Sequence, residues 1–479
     1  MKLSRTLKPR EKRPVKILQV GEGNFLRGFL DWQIQLLNEQ TDFNGGIAVV
    51  QPRRSQKIAP LNEQNGLYTL RLQGISNGQQ YDDTTIVDAV QYGINLEQDY
   101  EQYVALAHSE DLRFVVSNST EAGIFVDKEE RFEQRPQKTF PGKLLALLVE
   151  RFDYFNGDNS KGLIMIPTEL IEKNGETLKA VLVQLATNWN LSDAFKIWLI
   201  EANTFCNTLV DRIVPGYSEE KAAELPYEDT LFVVAEPYSL FAIEGPDFVF
   251  EELPLHKLKV NAFLTNDLTP YRTQKVRILN GSHTALTPLA MLSGIQTVAE
   301  AVEDPVLGPF LEAFIFEEVV PTIDHDPQQV EAFAKDVLDR FRNPFIAHYV
   351  ESISLNALDK FVTRNVPTLK DYTQKYNAVP KRLVLAFAAL LAVHRPINQI
   401  PLNDDVSKVG CLQAVWHQVE NQTITLSEAV QKMLSEVLIW KEDLTEINGL
   451  ALAVTEALNL VGEVGVEQTI IHYTTSVIQ

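Results

Sequence analysis

Val15-Lys-Ile-Leu-Gln-Val20-Gly21-Glu-Gly23-Asn24-Phe25-Leu-Arg27-Gly28 is an apolar run that ends on closely spaced glycines and passes directly into a helical pattern. Phe25, Phe29, Trp32, Ile34, Leu36 and Leu37 recur near helical spacing, and Gly45-Gly46 then opens a second apolar run, Ile47 to Val50. The segment reads as strand, helix, strand. Beyond it, apolar runs at Leu67 to Leu72, Thr85 to Val90, Arg113 to Ser117, Leu163 to Ile166 and Thr230 to Ala235 predict further strands. Lys143 to Phe152 and Glu176 to Leu185 predict helices between them. That alternation predicts an α/β fold, a largely parallel, doubly wound Rossmann-type sheet covered on both faces. Past Ala262 the pattern turns helical, over Val276 to Leu292, Leu307 to Val319, Gln328 to Phe341 and Lys381 to Val393. The expected organisation is a basic arm over 1–14, a Rossmann-type dinucleotide-binding domain over 15–264 and a mostly α-helical substrate domain over 265–479.

The chain has 479 residues, with 43 Lys plus Arg against 64 Asp plus Glu and a formal net charge of −21. Such a balance disfavours nucleic acids and anionic bilayers, both of which are bound through clustered cations. No stretch of residues is apolar and long enough to predict a membrane span. Only Cys206 and Cys411 are present, too few for a disulfide framework or a Cys-based zinc site, and a reducing, cytoplasmic setting is expected. The arm, with Lys2, Arg5, Lys8, Arg10, Lys12 and Arg13 against Glu11, reads as a flexible leader docked on an acidic body.

Glycines between a strand and a helix let a backbone approach a pyrophosphate, with helix N–H groups facing it. Here the third glycine, Gly28, falls later than the strict dinucleotide pattern places it. The second strand ends Val50-Gln51-Pro52-Arg53-Arg54, without the acid that would hold an NAD ribose. Arg53 and Arg54 suit the 2′-phosphate of NADP or a solvated loop equally well, so the residues leave NAD and NADP open.

The second informative stretch is Lys275-Val-Arg-Ile-Leu-Asn280-Gly-Ser-His283. At about 100° per residue, Lys275, His283 and Asn280 fall at about 0°, 80° and 140°, one broad face of a helix that reads as apolar nearly all round. A buried Lys loses solvation of its charged form and becomes usable as a base. Oxidising an alcohol needs a base or a metal for the hydroxyl proton, and zinc would have to be assembled from scattered ligands such as His256, His283 and Asp211. Lys275 as base, Asn280 donating to the alkoxide and His283 holding a substrate hydroxyl would use all three polar groups. A structural Lys paired with a carboxylate, beside a satisfied core His, fits the same pattern.

Lys275-x-x-x-x-Asn280-x-x-His283 resembles the motif of the long-chain mannitol dehydrogenase family, metal-independent polyol and sugar-acid dehydrogenases. Gly21 to Arg27, Ser117 to Gly123, Pro167 to Gly175, Val210-Asp-Arg-Ile213 and Arg340-Phe-Arg-Asn-Pro344 agree with it, so the resemblance covers nearly the whole chain after the arm. It implies Lys275 as catalytic acid–base, Asn280 with Asn174 polarising the carbonyl, and His283 binding substrate. It implies cofactor contacts at Gly21, Gly23, Asn24, Phe25, Arg27, Gln51, Arg53, Ser117 and Glu121, with NAD as cofactor and no metal. Substrate contacts are implied at Glu169, Asp211, Arg212, Arg342 and Lys360. Thr168-Glu169-Leu170 and Ser352 depart from the mannitol enzymes and fit the uronate branch, where a cation must meet a carboxylate. Arg212, Arg277, Arg342 and Lys360 are its candidates. The implied reaction is the reduction of tagaturonate to altronate. Fructuronate or a neutral polyol is the near alternative, and a non-catalytic dinucleotide-binding regulator the distant one. The implied partner is a small sugar acid, acted on by a monomer or small homo-oligomer.

Overall fold

The computed structural model describes residues 2–9, 12–51, 58–120 and 122–475. The strands are β1 Val15–Val20, β2 Gly46–Val50, β3 Tyr68–Ser76, β4 Gln79–Val87, β5 Val90–Ile94, β6 Phe114–Ser117, β7 Ile164–Pro167, β8 Thr204–Phe205, β9 Asn207–Asp211, β10 Val233–Ala235, β11 Leu240–Glu244 and β12 Asn261–Thr265. The chain divides into two units, Met1–Gln73 with Gln80–Leu268, and Gly74–Gln79 with Thr269–Gln479.

In the first unit β5-β2-β1-β6-β7-β8 form one sheet in that order, parallel throughout. Parallel neighbours need crossover connections. Asn24–Gly28 and Leu30–Gln40 carry the chain from β1 to β2, Phe140–Tyr154 from β6 to β7, and Asn174–Asn188 with Asp193–Glu201 from β7 to β8. Alternate strand residues feed two cores. Ile17, Val49, Phe114 and Ile166 pack with Phe29, Ile34 and Leu37, while Leu18, Val50, Val115 and Met165 pack with Leu144, Leu182 and Trp198. This is the two-faced, doubly wound arrangement that the alternating pattern predicts.

The single sheet expected from the sequence accounts for only part of the strands. β10-β3-β4 form a second sheet and β12-β11-β9 a third. The run at Thr85 to Val90 is divided, its front closing β4 and Val90 opening β5. Apolar runs announce strands but carry no mark of which sheet they join. The arm is docked: Leu3 is buried, Arg5 Nη2 donates to the Asn65 carbonyl at 2.6 Å, and Arg13 pairs with Asp88 at 2.7 Å. Arg10 and Glu11 lie outside the described residues.

The described residues of the second unit past Thr269 form helices without a strand ladder. Lys381–Val393 is apolar on every side and buried from Arg382 to Val393, which makes it the central helix. Gly281–Leu292 and Leu450–Val464 pack on it. Its start is held by Glu318, whose carboxylate accepts from the backbone N–H groups of Arg382 and Leu383 at 2.8 and 2.9 Å. No helix among the described residues is long and apolar enough to cross a membrane.

Candidate active site

Strand order reverses at β1, with β2 on one side and β6 on the other. In open parallel sheets, ligands bind outside the carboxyl ends of the strands at that reversal. Gly21 follows β1, Gln51 follows β2, Ser117 ends β6 and Glu169 lies just beyond β7. Gly21 has φ of +137°, and a Cβ there would meet Leu26 Cδ1 at 3.1 Å and the Asn118 carbonyl oxygen at 3.2 Å. Glycine alone suits that conformation and that closeness. At Gly23, which opens the Asn24–Gly28 helix without a side-chain cap, an added Cβ would have nothing within 4 Å. The bare, open backbone at the start of a helix fits a dinucleotide pyrophosphate. Gly28 has another role, since a Cβ would stand 2.9 Å from Val214 Cγ1 and push the helix off its neighbour. Phe25 stacks on Phe29 with ring centroids 4.9 Å apart. Gln51 is buried, its Nε2 donating to Asn95 Oδ1 at 3.0 Å. Arg53, Arg54 and Glu121 lie outside the described residues.

Several residues expected to touch ligand are engaged inside the first unit instead. Arg27 is buried, donating to Asn24 Oδ1 at 2.6 Å and to the Leu231 carbonyl, with its guanidinium 5.5 Å from the Tyr68 ring centre. Arg212 donates to the carbonyls of Glu236 and Gly28, both at 2.8 Å, and lies over Trp32 at 4.3 Å. Burial pushes its pKa down to about 9. Glu169 accepts from Ser117 Oγ at 3.0 Å and from the N–H and Oγ of Ser119 at 2.8 Å, so this carboxylate ties the end of β6 to the segment after β7. Asn174 has no exposed surface: its Nδ2 donates to the Pro167 and Glu169 carbonyls and to Thr208 Oγ1, and its Oδ1 accepts from the N–H of Thr208 and Gly175. Both ends of the Asn174 amide and both oxygens of Glu169 are thus engaged by groups of the first unit, as are Nε and Nη1 of Arg212. Buried polar groups need partners and most of these find them at home, while Arg27 Nε and Arg212 Nη2 have none among the described residues. Asp211, at the end of β9, is buried. His256 stacks on Phe250, and no group of His, Cys, Asp and Glu among the described residues could hold a metal.

In the second unit one continuous helix runs from Thr269 to Leu292, and its middle, Lys275–Asn280, is a π-helix. Hydrogen bonding from i to i+5 places Lys275 and Asn280 one π turn apart on the same side, and His283 follows one α turn later. The π turn thus gathers the three residues into a stripe, where regular α geometry would have set Lys275 and Asn280 about 140° apart. Lys275 and Asn280 are half-buried rather than sealed in apolar surroundings, which corrects the expectation of a helix buried nearly all round. His283 is buried, stacked on Phe341 at 4.2 Å and edge-on to His348 at 4.8 Å, with no hydrogen-bond partner for Nε2. Burial first, then His348, Arg340, Arg364 and Lys360, hold its pKa well below the ordinary histidine range, so the ring is neutral.

The expected carboxylate partners separate clearly. Arg277 is paired with Asp371 at 2.5 Å and Arg212 is enclosed as described. Arg342 ends the Pro327–Phe341 helix and is half-buried. Lys360 is half-buried, its Nζ donating to the Ile353 carbonyl at 2.8 Å. Arg364, absent from the sequence expectations, donates to Thr284 Oγ1 at 3.1 Å and reaches the Asn280 carbonyl at 3.5 Å. The signal for it was available: Lys360 and Arg364 are four apart on one short helix, Ala357–Arg364, where like charges face each other.

Two family models match the chain, the mannitol dehydrogenase Rossmann domain over residues 15–257 and the mannitol dehydrogenase C-terminal domain over 267–461. The altronate oxidoreductase of Bacillus subtilis (strain 168) is 49% identical over 96% of this chain and 95% of its own. Among solved structures, D-sorbitol dehydrogenase in substrate-free form superposes with a TM-score of 0.80 at 20% identity, covering 98% of this chain and 100% of that one. The ternary complex of Pseudomonas fluorescens mannitol 2-dehydrogenase with NAD and D-mannitol gives 0.67 at 21% identity, over 99% and 100%. With both family models matched in order and near-full-length identity to such a relative, the chain belongs to the mannitol dehydrogenase family of oxidoreductases.

Proposed function

We propose that this enzyme interconverts D-tagaturonate and D-altronate with NAD, using Lys275 as the acid–base. The observation that carries the reading is the stripe of Lys275, Asn280 and neutral His283 set among Arg340, Lys360 and Arg364. That constellation offers a proton carrier, a hydrogen-bond donor for an oxyanion and a positive surrounding for an acid sugar. The name of the Bacillus subtilis relative supports the substrate, and NAD in the mannitol 2-dehydrogenase complex supports the cofactor.

A nicotinamide, when bound, would supply or accept the hydride at the carbon that changes oxidation state. In reduction, Lys275 Nζ gives its proton to the oxygen of the former ketone; in oxidation it takes the hydroxyl proton back. Asn280 donates to the same oxygen, where negative charge develops. Neutral His283 can hold a neighbouring substrate hydroxyl without adding charge. Gly21 and Gly23 would carry the pyrophosphate, and Ser117, held by Glu169, would border it.

Lys275→Ala should lower kcat by about 10²- to 10⁴-fold, the range of a lost general acid–base, while NADH affinity measured by fluorescence titration stays near wild type. Turnover equal to wild type in that variant would sink the mechanism. A panel of tagaturonate, fructuronate and neutral ketoses with NADH and NADPH checks substrate and cofactor together. Faster turnover of a neutral ketose than of either uronate would overturn the uronate reading.

A further inference from the structure

Among the described residues, neither Lys360 nor Arg364 forms an ion pair with a carboxylate. They stand four residues apart on the Ala357–Arg364 helix, a spacing at which like charges repel. Their hydrogen bonds go to neutral oxygens: Lys360 to the Ile353 carbonyl, Arg364 to Thr284 Oγ1 and the Asn280 carbonyl. The acids nearby make their close contacts elsewhere, and of them Asp404 acts on Lys360 without an ion pair. Asp359 is ion-paired with Lys408, while Asp404 accepts from the Leu358 N–H at 2.8 Å and lies 3.4 Å from His394 Nε2. Burial lowers the pKa of both cations; for Lys360, Arg364 adds to the effect and Asp404 opposes it in part. Both also act electrostatically on His283, which places them beside the catalytic stripe.

Holding two half-buried like charges side by side with no ion-paired carboxylate, and Asp404 only partly offsetting one of them, costs free energy unless an anion completes the group. We propose that Arg364 and Lys360 together take the carboxylate of the sugar acid, and that Arg364 couples this binding to the position of Asn280. The proposal rests on the uronate reading and extends it to a residue. A guanidinium can meet a carboxylate through two parallel N–H donors, which an ammonium cannot reproduce. Arg364 reaches the Asn280 carbonyl and Thr284 from one nitrogen, Nη1. Its other nitrogens remain for the anion. A neutral ketose has nothing to offer this pair, so discrimination comes from leaving two cations uncompensated when the wrong substrate binds.

The test compares wild type, Arg364→Gln, Arg364→Lys and Lys360→Gln on tagaturonate and on tagatose, its neutral counterpart, with gluconate binding to each protein measured by calorimetry. Arg364→Gln should raise KM for tagaturonate by about 10- to 100-fold, as expected for a lost charged hydrogen bond, and at least about tenfold more than it changes the tagatose reaction. Arg364→Lys should fall between, and Lys360→Gln should shift the same ratio in the same direction. Should Arg364→Gln fail to fold, the Lys360→Gln ratio and the Arg364→Lys intermediate decide the matter. Equal losses on both sugars, or gluconate binding as tight in the folded variants as in wild type, would overturn the proposal. If the wild type fails to reduce tagaturonate, the proposed function falls, while gluconate binding that weakens in these variants would still establish the anion site.

Discussion

Asp31 lies on the Leu30–Gln40 helix with no exposed surface, the Tyr68 hydroxyl donating to its Oδ2 at 2.9 Å. Burial outweighs Tyr68, Arg27 and Gln19 and pushes its pKa up to about 7. An unfolded aspartate titrates near about 3.9. Between those values the native protein holds a proton that the unfolded chain has released, so stability falls as pH rises. This group's contribution is fully present below about pH 4 and lost through about pH 7, an effect of about 4 kcal/mol. In urea titrations, wild type should lose ground to Asp31→Asn by that order between pH 4 and pH 8; a gap independent of pH would contradict it. Nothing in the sequence sets Asp31 apart among 64 acidic residues. Lys275, Asn280 and His283 stood out because polar groups interrupted an apolar pattern. Arg27, Arg212 and Asn174 drew attention through the family resemblance, which matches stretches of sequence but does not say which way a side chain faces.

The π turn is where one helix departs from its sequence pattern. Val276, Ile278 and Leu279 suit an α-helix as well as a wider one, so periodicity at about 100° per residue could find the helix and its polar residues but not their alignment. Deleting Val276 should restore i to i+4 bonding and leave Lys275 four residues before Asn280, within about 40° of it on the same side, whereas inserting one alanine after Val276 should turn Lys275 by about 100° relative to Asn280 and His283. The expected result is two proteins folded by circular dichroism, of which the insertion alone lowers kcat as far as Lys275→Ala. Wild-type turnover in the insertion variant would show that the reaction does not depend on the alignment of the stripe. Strands behaved in a related way. Alternation marked β1, β2, β6 and β7 and both faces of their sheet, whereas the separate pairing of β3 and β10 depends on long-range contacts that a local pattern does not encode.

Across the whole chain, a formal charge of −21 accompanies a pair of cations, Lys360 and Arg364, that hydrogen-bond neutral oxygens and form no ion pair among the described residues. An anionic sugar and an anionic dinucleotide therefore meet opposite influences at different ranges, repulsion from the body at long distance and attraction within contact. Dissolved ions separate the two. The screening length shrinks from about 30 Å in 0.01 M salt to about 8 Å in 0.15 M, which removes the far field and weakens half-buried contacts much less. Over that interval kcat/KM for the uronate should rise about two- to fivefold, as measured at constant pH with saturating NADH. A steady fall would mean that the local cations also govern approach. On the proposed reading, the pair sets which sugar is held while the −21 of the body sets how the rate of encounter answers to the ionic atmosphere, so that an acidic enzyme gathers an acidic sugar faster in 0.15 M salt than in dilute buffer.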